Sequence, residues 1–493
     1  MKRPKVLFLA SEMTPFAKVG GLADVVGTLP AALQALGVDA RVVMPLYAPI
    51  KRRFIDRMTL LDERTIRLGW RSQFSALYVM NHEGVPVYFV DNEFYFGHDR
   101  VYVEYGFDIE RFAFFQRAVL DALGDPMSFL PDVLHCNDWQ SAMVPFLLES
   151  HYRPSGYHVG LKTVFTIHNL MYQGLCAKET AADLFDIPAP FLREDGILSG
   201  TAANPMKAGI RYSDAVTTVS PTYAREILTL EFGEGLDGLL RARGNVLSGI
   251  LNGIDEKDFD PSTDFFLDSH FGPADVFTGK PACRRALRKE LGLRDDASIV
   301  AGMVTRLYEQ KGIDLVLEIL EAVVAEGIQL AILGTGDSRF ENALREAAER
   351  HPGRVAFVSA FDEGLAHRIY AGADLFLMPS RFEPCGLSQM IAMRYGTLPV
   401  VRETGGLKDT VIPYNEHTGE GTGFSFRNAV SSELLAVLRN AVEVHRTRPA
   451  AFERLMMAAM AQDFSFRRSA ERFESVYLSL MAESATDPSE SWH

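Results

Sequence analysis

Two doubly wound parallel-sheet α/β domains facing across a deep cleft are the fold class this sequence predicts, and three features predict it. The first is a βαβ unit near the N-terminus: an apolar strand at Val6–Ala10, a loop with Gly20 and Gly21, a helical pattern through Leu33–Leu36 ended by Gly37, and a second strand at Ala40–Met44. The second is a restart of the same alternation near residue 298, with its own first strand. The third is the stretch between them, Ile250–Pro261 (ILNGIDEKDFDP), whose Asn, Gly, Asp and Pro content reads as a linker or hinge. In open parallel sheets ligands sit beyond the carboxyl ends of the strands, so two facing sheets would share one ligand cleft. An eight-fold barrel is the structural alternative.

In the second region the strands are expected at Ile299–Val304, Gln329–Leu333, Val355–Val358 and Leu375–Met378. The helices between them are expected at Asp314–Ala325, Phe340–Arg350 and Gly364–Ala371. Helical patterns after residue 431 continue to about Ala482, and the polar stretch Ser484–His493 is expected to fray. The domain boundaries read from this are 1–250, 251–470, and a C-terminal helix at 471–493 returning to the first domain.

At 493 residues the chain exceeds one ordinary core, and 47% hydrophobic with 23% charged residues is normal for a globular protein. The net charge of −14, without any basic block, argues against nucleic acid or an anionic membrane as partner. Cys136, Cys176, Cys283 and Cys385 are scattered with no CxxC pair, so neither a disulfide framework nor a zinc site is expected. The run Val6–Ala10 is shorter than a signal-peptide core, and no apolar stretch approaches the roughly 20 residues that span a bilayer. A cytoplasmic location follows as the expectation.

Candidate chemistry falls in strand-to-helix loops of both halves. Lys18-Val19-Gly20-Gly21-Leu22-Ala23-Asp24 follows the first strand; its glycines permit close approach of a phosphate or sugar, and the helix behind offers free N–H groups. A plain βα turn with a surface lysine fits the same string. Asp138 (HCNDWQ) and His168-Asn169 (TVFTIHNLMYQG) each follow an apolar run, where a polar side chain can face a cleft, although a lone histidine is more often structural than catalytic. Arg306 and Lys311 (VTRLYEQKGIDL) offer two cations to a diphosphate, or form a solvated charged turn. In Pro379–Leu387 (PSRFEPCGL), Pro384 suits a first helical turn, leaving the amides of Cys385, Gly386 and Leu387 open to ligand oxygens, with Glu383 beside them. Thr404-Gly405-Gly406-Leu407 is a second close approach, and Gly334-Thr335-Gly336-Asp337 a weak Gly-x-Gly signal. The DFD at Asp258–Asp260 imitates a metal-binding Asp-x-Asp but sits in the linker without further ligands, so no metal is expected.

With these motifs in hand, the sequence resembles the bacterial glycogen synthase and plant starch synthase family, of two-domain GT-B architecture. The resemblance runs from Val6 to about Tyr477. It is carried by KVGGLADV, TIHNLMYQG, VTTVSPTYAREI, GLDGLLRAR, ILNGID, VTRLYEQKGIDL, HRIYAGADLFLMPSRFEPCGLSQM and TGGLKDTV, in the family's order. It implies a retaining transfer of glucose from ADP-glucose to the non-reducing end of an α-1,4-glucan (glycogen), without cofactor or metal. The first domain would take the acceptor and the second the donor.

By the resemblance, Lys18, Gly20 and Gly21 lie against the donor diphosphate and glucose, and Asp24 near the nucleotide. His168 contacts the donor glucose and holds its carbonyl near the anomeric carbon, and Asn252 binds the same sugar. Arg306 and Lys311 stabilise the departing diphosphate, and Glu383 and the amides of Cys385, Gly386 and Leu387 line the donor. Asp138 faces the acceptor, and Tyr102 is the candidate for a tyrosine that meets it. Phe361 stands where relatives often carry Tyr and keeps a ring to stack on adenine.

Overall fold

The structure, a computed structural model, describes residues 3–486 of the chain. It divides into two compact units, one running to Gly253 and resuming at Phe466, the other spanning Ile254–Ser465. These junctions fall three residues after 250 and five before 470. The physical reason is a paired crossing: Ile254 N–H donates to the Phe464 carbonyl at 2.9 Å, so the chain enters and leaves the second unit side by side.

In the first unit the strands are β1 (Lys5–Leu9), β2 (Asp39–Pro45), β3 (Thr59–Leu68), β4 (Arg71–His82), β5 (Val85–Asp91), β6 (Val133–Asn137) and β7 (Lys162–Ile167). Next come β8 (Cys176–Ala177), β9 (Leu198–Ser199) and β10 (Ala202–Ala203), a small separate sheet. Then β11 (Ala215–Thr218) and β12 (Leu247–Gly249) rejoin the first. The nine-stranded sheet has the order β12-β11-β7-β6-β1-β2-β5-β4-β3. Val6, Leu7, Phe8 and Leu9 are all shut from water, which is why β1 reads as an unbroken apolar run: a parallel strand is covered on both faces. The doubly wound parallel sheet carries an antiparallel edge. β3 and β4 are joined by two residues, Gly69 and Trp70, too few for a crossover helix, so they pair antiparallel, and β4 pairs antiparallel with β5.

The second unit holds β13 (Ile299–Val304), β14 (Ile328–Leu333), β15 (Val355–Val358), β16 (Leu375–Met378), β17 (Leu398–Arg402) and β18 (Phe424–Phe426). All are parallel, in the order β15-β14-β13-β16-β17-β18. Helices at Ile313–Ala325, Ser338–Arg350 and Glu363–Gly372 fill the expected crossovers. Two open sheets leave no place for the barrel alternative. The last helix, Phe466–Thr486, packs beside the helix Gly21–Ala35 of the first unit. Of the polar tail expected to fray, residues 487–493 lie outside the described residues.

A polar chain fastens that last helix to the sheet. His135 on β6, 1% exposed, meets the Tyr477 hydroxyl at 2.7 Å through Nδ1 and the Thr166 hydroxyl at 2.6 Å through Nε2. Thr166 then bonds Thr217, its cross-strand partner on β11, at 2.6 Å. Burial drives the His135 pKa down to about 3, so the ring stays neutral. Between pH 6.5 and about 3 the unfolded chain takes up a proton that the folded one refuses. Acidification through this window is expected to destabilise the first unit, with His135 contributing on the order of 1 kcal/mol per pH unit. Urea-unfolding midpoints from pH 7 to pH 5 check this; His135→Gln is expected to flatten the slope even where it lowers the midpoint.

Candidate active site

Each sheet has one place where neighbouring strands send their crossovers in opposite directions, and there the loops part to leave a crevice. In the second unit this place lies between β13 and β16, because β14 and β15 extend the sheet one way and β17 and β18 the other. The loop after β13 carries Arg306 and Lys311; the loop after β16 carries Glu383. Lys311 Nζ reaches both Glu383 oxygens, at 2.9 and 2.6 Å, and Ser380 Oγ donates to Glu383 Oε2 at 3.0 Å. Lys311 and Glu383 are nearly withdrawn from water. Arg306 differs. Its guanidinium is exposed, lies 6.0 Å from the Tyr308 ring, and has no acidic partner among the described residues.

Glycines let these loops touch. A Cβ on Gly405 would fall on the Glu383 carbonyl oxygen, and one on Gly406 on that of Cys385; Gly406 N–H donates to the Glu383 carbonyl at 3.2 Å. A Cβ on Gly334 would strike the Thr305 carbonyl, and Leu307 N–H bonds the Thr335 carbonyl at 2.9 Å. Both glycine strings therefore serve contact between loops, and the close approach expected at Gly405-Gly406 is made by protein backbone. One expectation needs correcting. The helix after Glu383 starts at Ser388, not at Pro384, because Gly386 takes a left-handed φ of +70° that no helix accommodates. Cys385, Gly386 and Leu387 form a turn ahead of the helix. Phe361, before the helix Glu363–Gly372, is 85% exposed. The DFD does turn chemistry: Asp260 accepts from Ser262 N–H at 2.9 Å and Phe259 stacks on His367. Among the described residues no cluster of acid, His and Cys side chains could hold a metal, and no helix is long and apolar enough to cross a membrane.

In the first unit the reversal lies between β1 and β6, with β7 next to β6. Asp138, just past β6, adopts φ +53° and turns its carboxylate onto the next loop, where Oδ1 accepts His168 N–H at 2.7 Å and Asn169 N–H at 3.4 Å. Burial lifts the Asp138 pKa to about 7 against the pull of those two amides. His168 Nε2 meets Asn137 Oδ1 at 2.9 Å. Asn137 spends its Nδ2 on the Leu9 and His135 carbonyls, both at 3.1 Å, so its oxygen must face the ring and the histidine proton sits on Nε2. Desolvation lowers the His168 pKa to about 3. The imidazole is neutral, and Nδ1 is left as an acceptor. Asn252 is buried near the crossing, two residues past Ile250, whose N–H bonds the Thr218 carbonyl on β11 at 2.8 Å.

The loop after β1 is ordered by a residue the sequence reading passed over. Glu12, 4% exposed, accepts Val19 N–H at 2.6 Å and Gly20 N–H at 2.9 Å on Oε2, and the Tyr102 hydroxyl at 2.6 Å on Oε1. Tyr102 also meets Ser11 Oγ at 3.0 Å and Gln140 Nε2 at 3.1 Å. Its hydroxyl is thus committed within the protein, and the contact with an acceptor expected of it is not what this geometry offers. Lys18 Nζ pairs with Asp24 at 2.6 Å, near the start of the helix Gly21–Ala35. A Cβ on Gly20 would meet nothing within 4 Å, so the protein itself does not demand glycine there. The signal for Glu12 was its place just past a strand end, the same argument that singled out Asp138. Asn137 and Ser380 carry no signal in sequence beyond standing beside a named residue.

The starch synthase catalytic domain family matches residues 5–242, and the group 1 glycosyl transferase family matches residues 284–451. The glycogen synthase of Geobacillus thermodenitrificans is 48% identical over 479 residues, covering 97% of this chain and 98% of that one. That of Lachnospira eligens is 44% identical over 476 residues, covering 96% and 99%. Among solved structures, the catalytic domain of starch synthase IV from Arabidopsis thaliana, bound to ADP and acarbose, matches with a TM-score of 0.90 at 34% identity, over 98% of this chain and 100% of that one. A sucrose-phosphate synthase from Thermosynechococcus elongatus, at 18% identity and TM-score 0.61, shares the fold. With full-length relatives at this identity and both family domains in order, the chain belongs to the glycogen and starch synthase family of glycosyltransferases.

Proposed function

We propose that this chain lengthens an α-1,4-glucan, glycogen, by taking glucose from ADP-glucose and joining it to the non-reducing end with retention of configuration, in the cytoplasm. The observation that carries the reading is Arg306, an exposed guanidinium with no acidic partner among the described residues, on the same loop as Lys311 of the Lys311–Glu383 pair at the strand reversal. A diphosphate gains negative charge as its bond to the sugar breaks, and an uncommitted guanidinium is suited to receive it. The adenine nucleotide is favoured over uridine by the relative whose structure holds ADP, and Phe361 offers an open ring face to the base.

A retaining enzyme with a covalent intermediate needs a carboxylate free to attack the sugar. Glu383 is a poor candidate, since Lys311 holds both its oxygens and Ser380 a second bond to one of them. The acceptor hydroxyl is therefore assigned to attack from the face the diphosphate leaves, passing its proton to a departing phosphate oxygen. The C1–O bond to phosphate breaks as the new glycosidic bond forms, and Arg306 and Lys311 take up the charge on ADP. His168 is assigned to the donor sugar, accepting a hydrogen bond from a sugar hydroxyl at Nδ1, with Asn252 on the same sugar. Asp138 acts by fixing the His168 turn, and so governs where the acceptor meets it. Lys18, Gly20, Gly21 and Asp24 are assigned to the donor from the first unit, and the turn Cys385–Leu387 from the second.

The deciding assay offers glycogen with labelled ADP-glucose or UDP-glucose and digests the product with an α-1,4-specific amylase. Label transferred from ADP-glucose and released by the amylase is expected; no transfer from ADP-glucose would defeat the reading. Arg306→Ala and Lys311→Ala are each expected to lower kcat by roughly 10²- to 10³-fold if each acts like one oxyanion donor. Unchanged turnover in both would remove the electrostatic role. Phe361→Ala is expected to weaken ADP binding by about 5- to 100-fold, the range of one base–aromatic stack, with Tm unchanged. Calorimetric titration with ADP measures it.

A further inference from the structure

Glu12 is a nearly buried carboxylate that none of the assigned chemistry uses. A charge so placed is tolerated only when hydrogen bonds replace its water, and here three donors do so: two backbone amides of the glycine loop and one phenol. The flanks of the loop are tied by their own bonds, Met13 with Ala17 and Lys18 with Asp24, whereas the Val19 and Gly20 amides are held by Glu12; Val19 is exposed, and a Cβ on Gly20 would meet nothing within 4 Å outside its chain neighbours. Tyr102 and Gln140 brace the carboxylate from the other side, and Gln140 lies two residues past Asp138, whose own carboxylate fixes the His168 turn. The loop after β1 and the loops after β6 and β7 are thereby registered to one another within the first unit.

We propose that Glu12 is a positioning residue for the donor loop: it fixes the backbone of Val19 and Gly20 so that Lys18 and the opening amides of the helix Gly21–Ala35 meet the donor diphosphate in a single geometry. The inference rests on the reading of that loop as a donor site. Glu12 touches no reacting atom; its reach matters, and its charge does not. Two substitutions separate these. Glu12→Asp keeps the charge but withdraws it by one methylene, about 1.5 Å. Glu12→Gln keeps the reach and an acceptor oxygen for the two amides, with an amide nitrogen turned toward Tyr102, but loses the charge.

Steady-state kinetics with ADP-glucose and glycogen, and hydrogen exchange at the Val19 and Gly20 amides of the donor-free protein, test it together. E12D and E12A are expected to lose about 10²-fold in kcat/KM for ADP-glucose, the effect of an ångström-scale misplacement. KM for glycogen should hold, and E12Q should recover most of the loss. The two amides should be protected in the parent and E12Q, and exchange freely in E12D. The reverse order, with E12D intact and E12Q impaired, would overturn the proposal in favour of a role for the charge. Parent-like kinetics in both E12D and E12A would overturn it outright. If E12A fails to fold, the contrast between E12D and E12Q still decides. If the parent itself transfers nothing from ADP-glucose, the functional reading fails, and free exchange at the two amides in the parent or equal protection in E12D would separately sink the positioning role.

Discussion

The arrangement depends on one topological constraint: in each sheet the strand order reverses once, between β1 and β6 in the first unit and between β13 and β16 in the second. Crossovers on either side of such a point cover opposite faces of the sheet, so the loops at the carboxyl ends diverge and leave backbone amides and polar side chains uncovered. Lys18, Glu12 and Asp138 leave from one reversal, with His168 on the neighbouring strand end; Arg306, Lys311 and Glu383 leave from the other. Elsewhere the loops cover hydrophobic core. Here they bond one another, and the contact is close enough that Gly334, Gly405 and Gly406 have no room for a side chain.

Carboxylates carry much of that loop-to-loop bonding. Asp138 ties the β6 loop to the β7 loop, Glu12 ties the β1 loop to itself and to Tyr102, and Glu383 ties the β16 loop to Lys311. Each binds backbone N–H groups or a cation across or within these loops. The consequence is that these three acids are committed to bonds within the protein. Arg306 is the contrasting case, an exposed guanidinium with no acidic partner among the described residues. His168 is kept neutral by desolvation and in one tautomer by Asn137, which leaves its Nδ1 as a hydrogen-bond acceptor.

Much was legible in the chain itself. The strands of the second unit fell at Ile299–Val304, Val355–Val358 and Leu375–Met378 as read, since buried parallel strands are unbroken apolar runs between loop residues. Misreadings arose where local pattern competes with distant contact. Pro384 looks like a helix start, but Gly386 delays it, for Cys385 and Glu383 must first meet Gly405 and Gly406 some twenty residues further on. The antiparallel β3–β4 hairpin left only a two-residue link as its sign, and its strands alternate less cleanly than a half-buried edge should.

The sequence by itself determined the kinds of element, their order, and the loops where chemistry sits, because periodicity, glycine and strand-end polarity act over a few residues. It also carried the family, in long strings preserved in order. Only the tertiary structure decided what each polar group is bonded to: that Glu12 serves two amides, that Tyr102 turns inward, that Lys311 is paired while Arg306 is not. Those partnerships join residues from 7 to 90 positions apart, and which of them form is set by strand order, which no local pattern encodes.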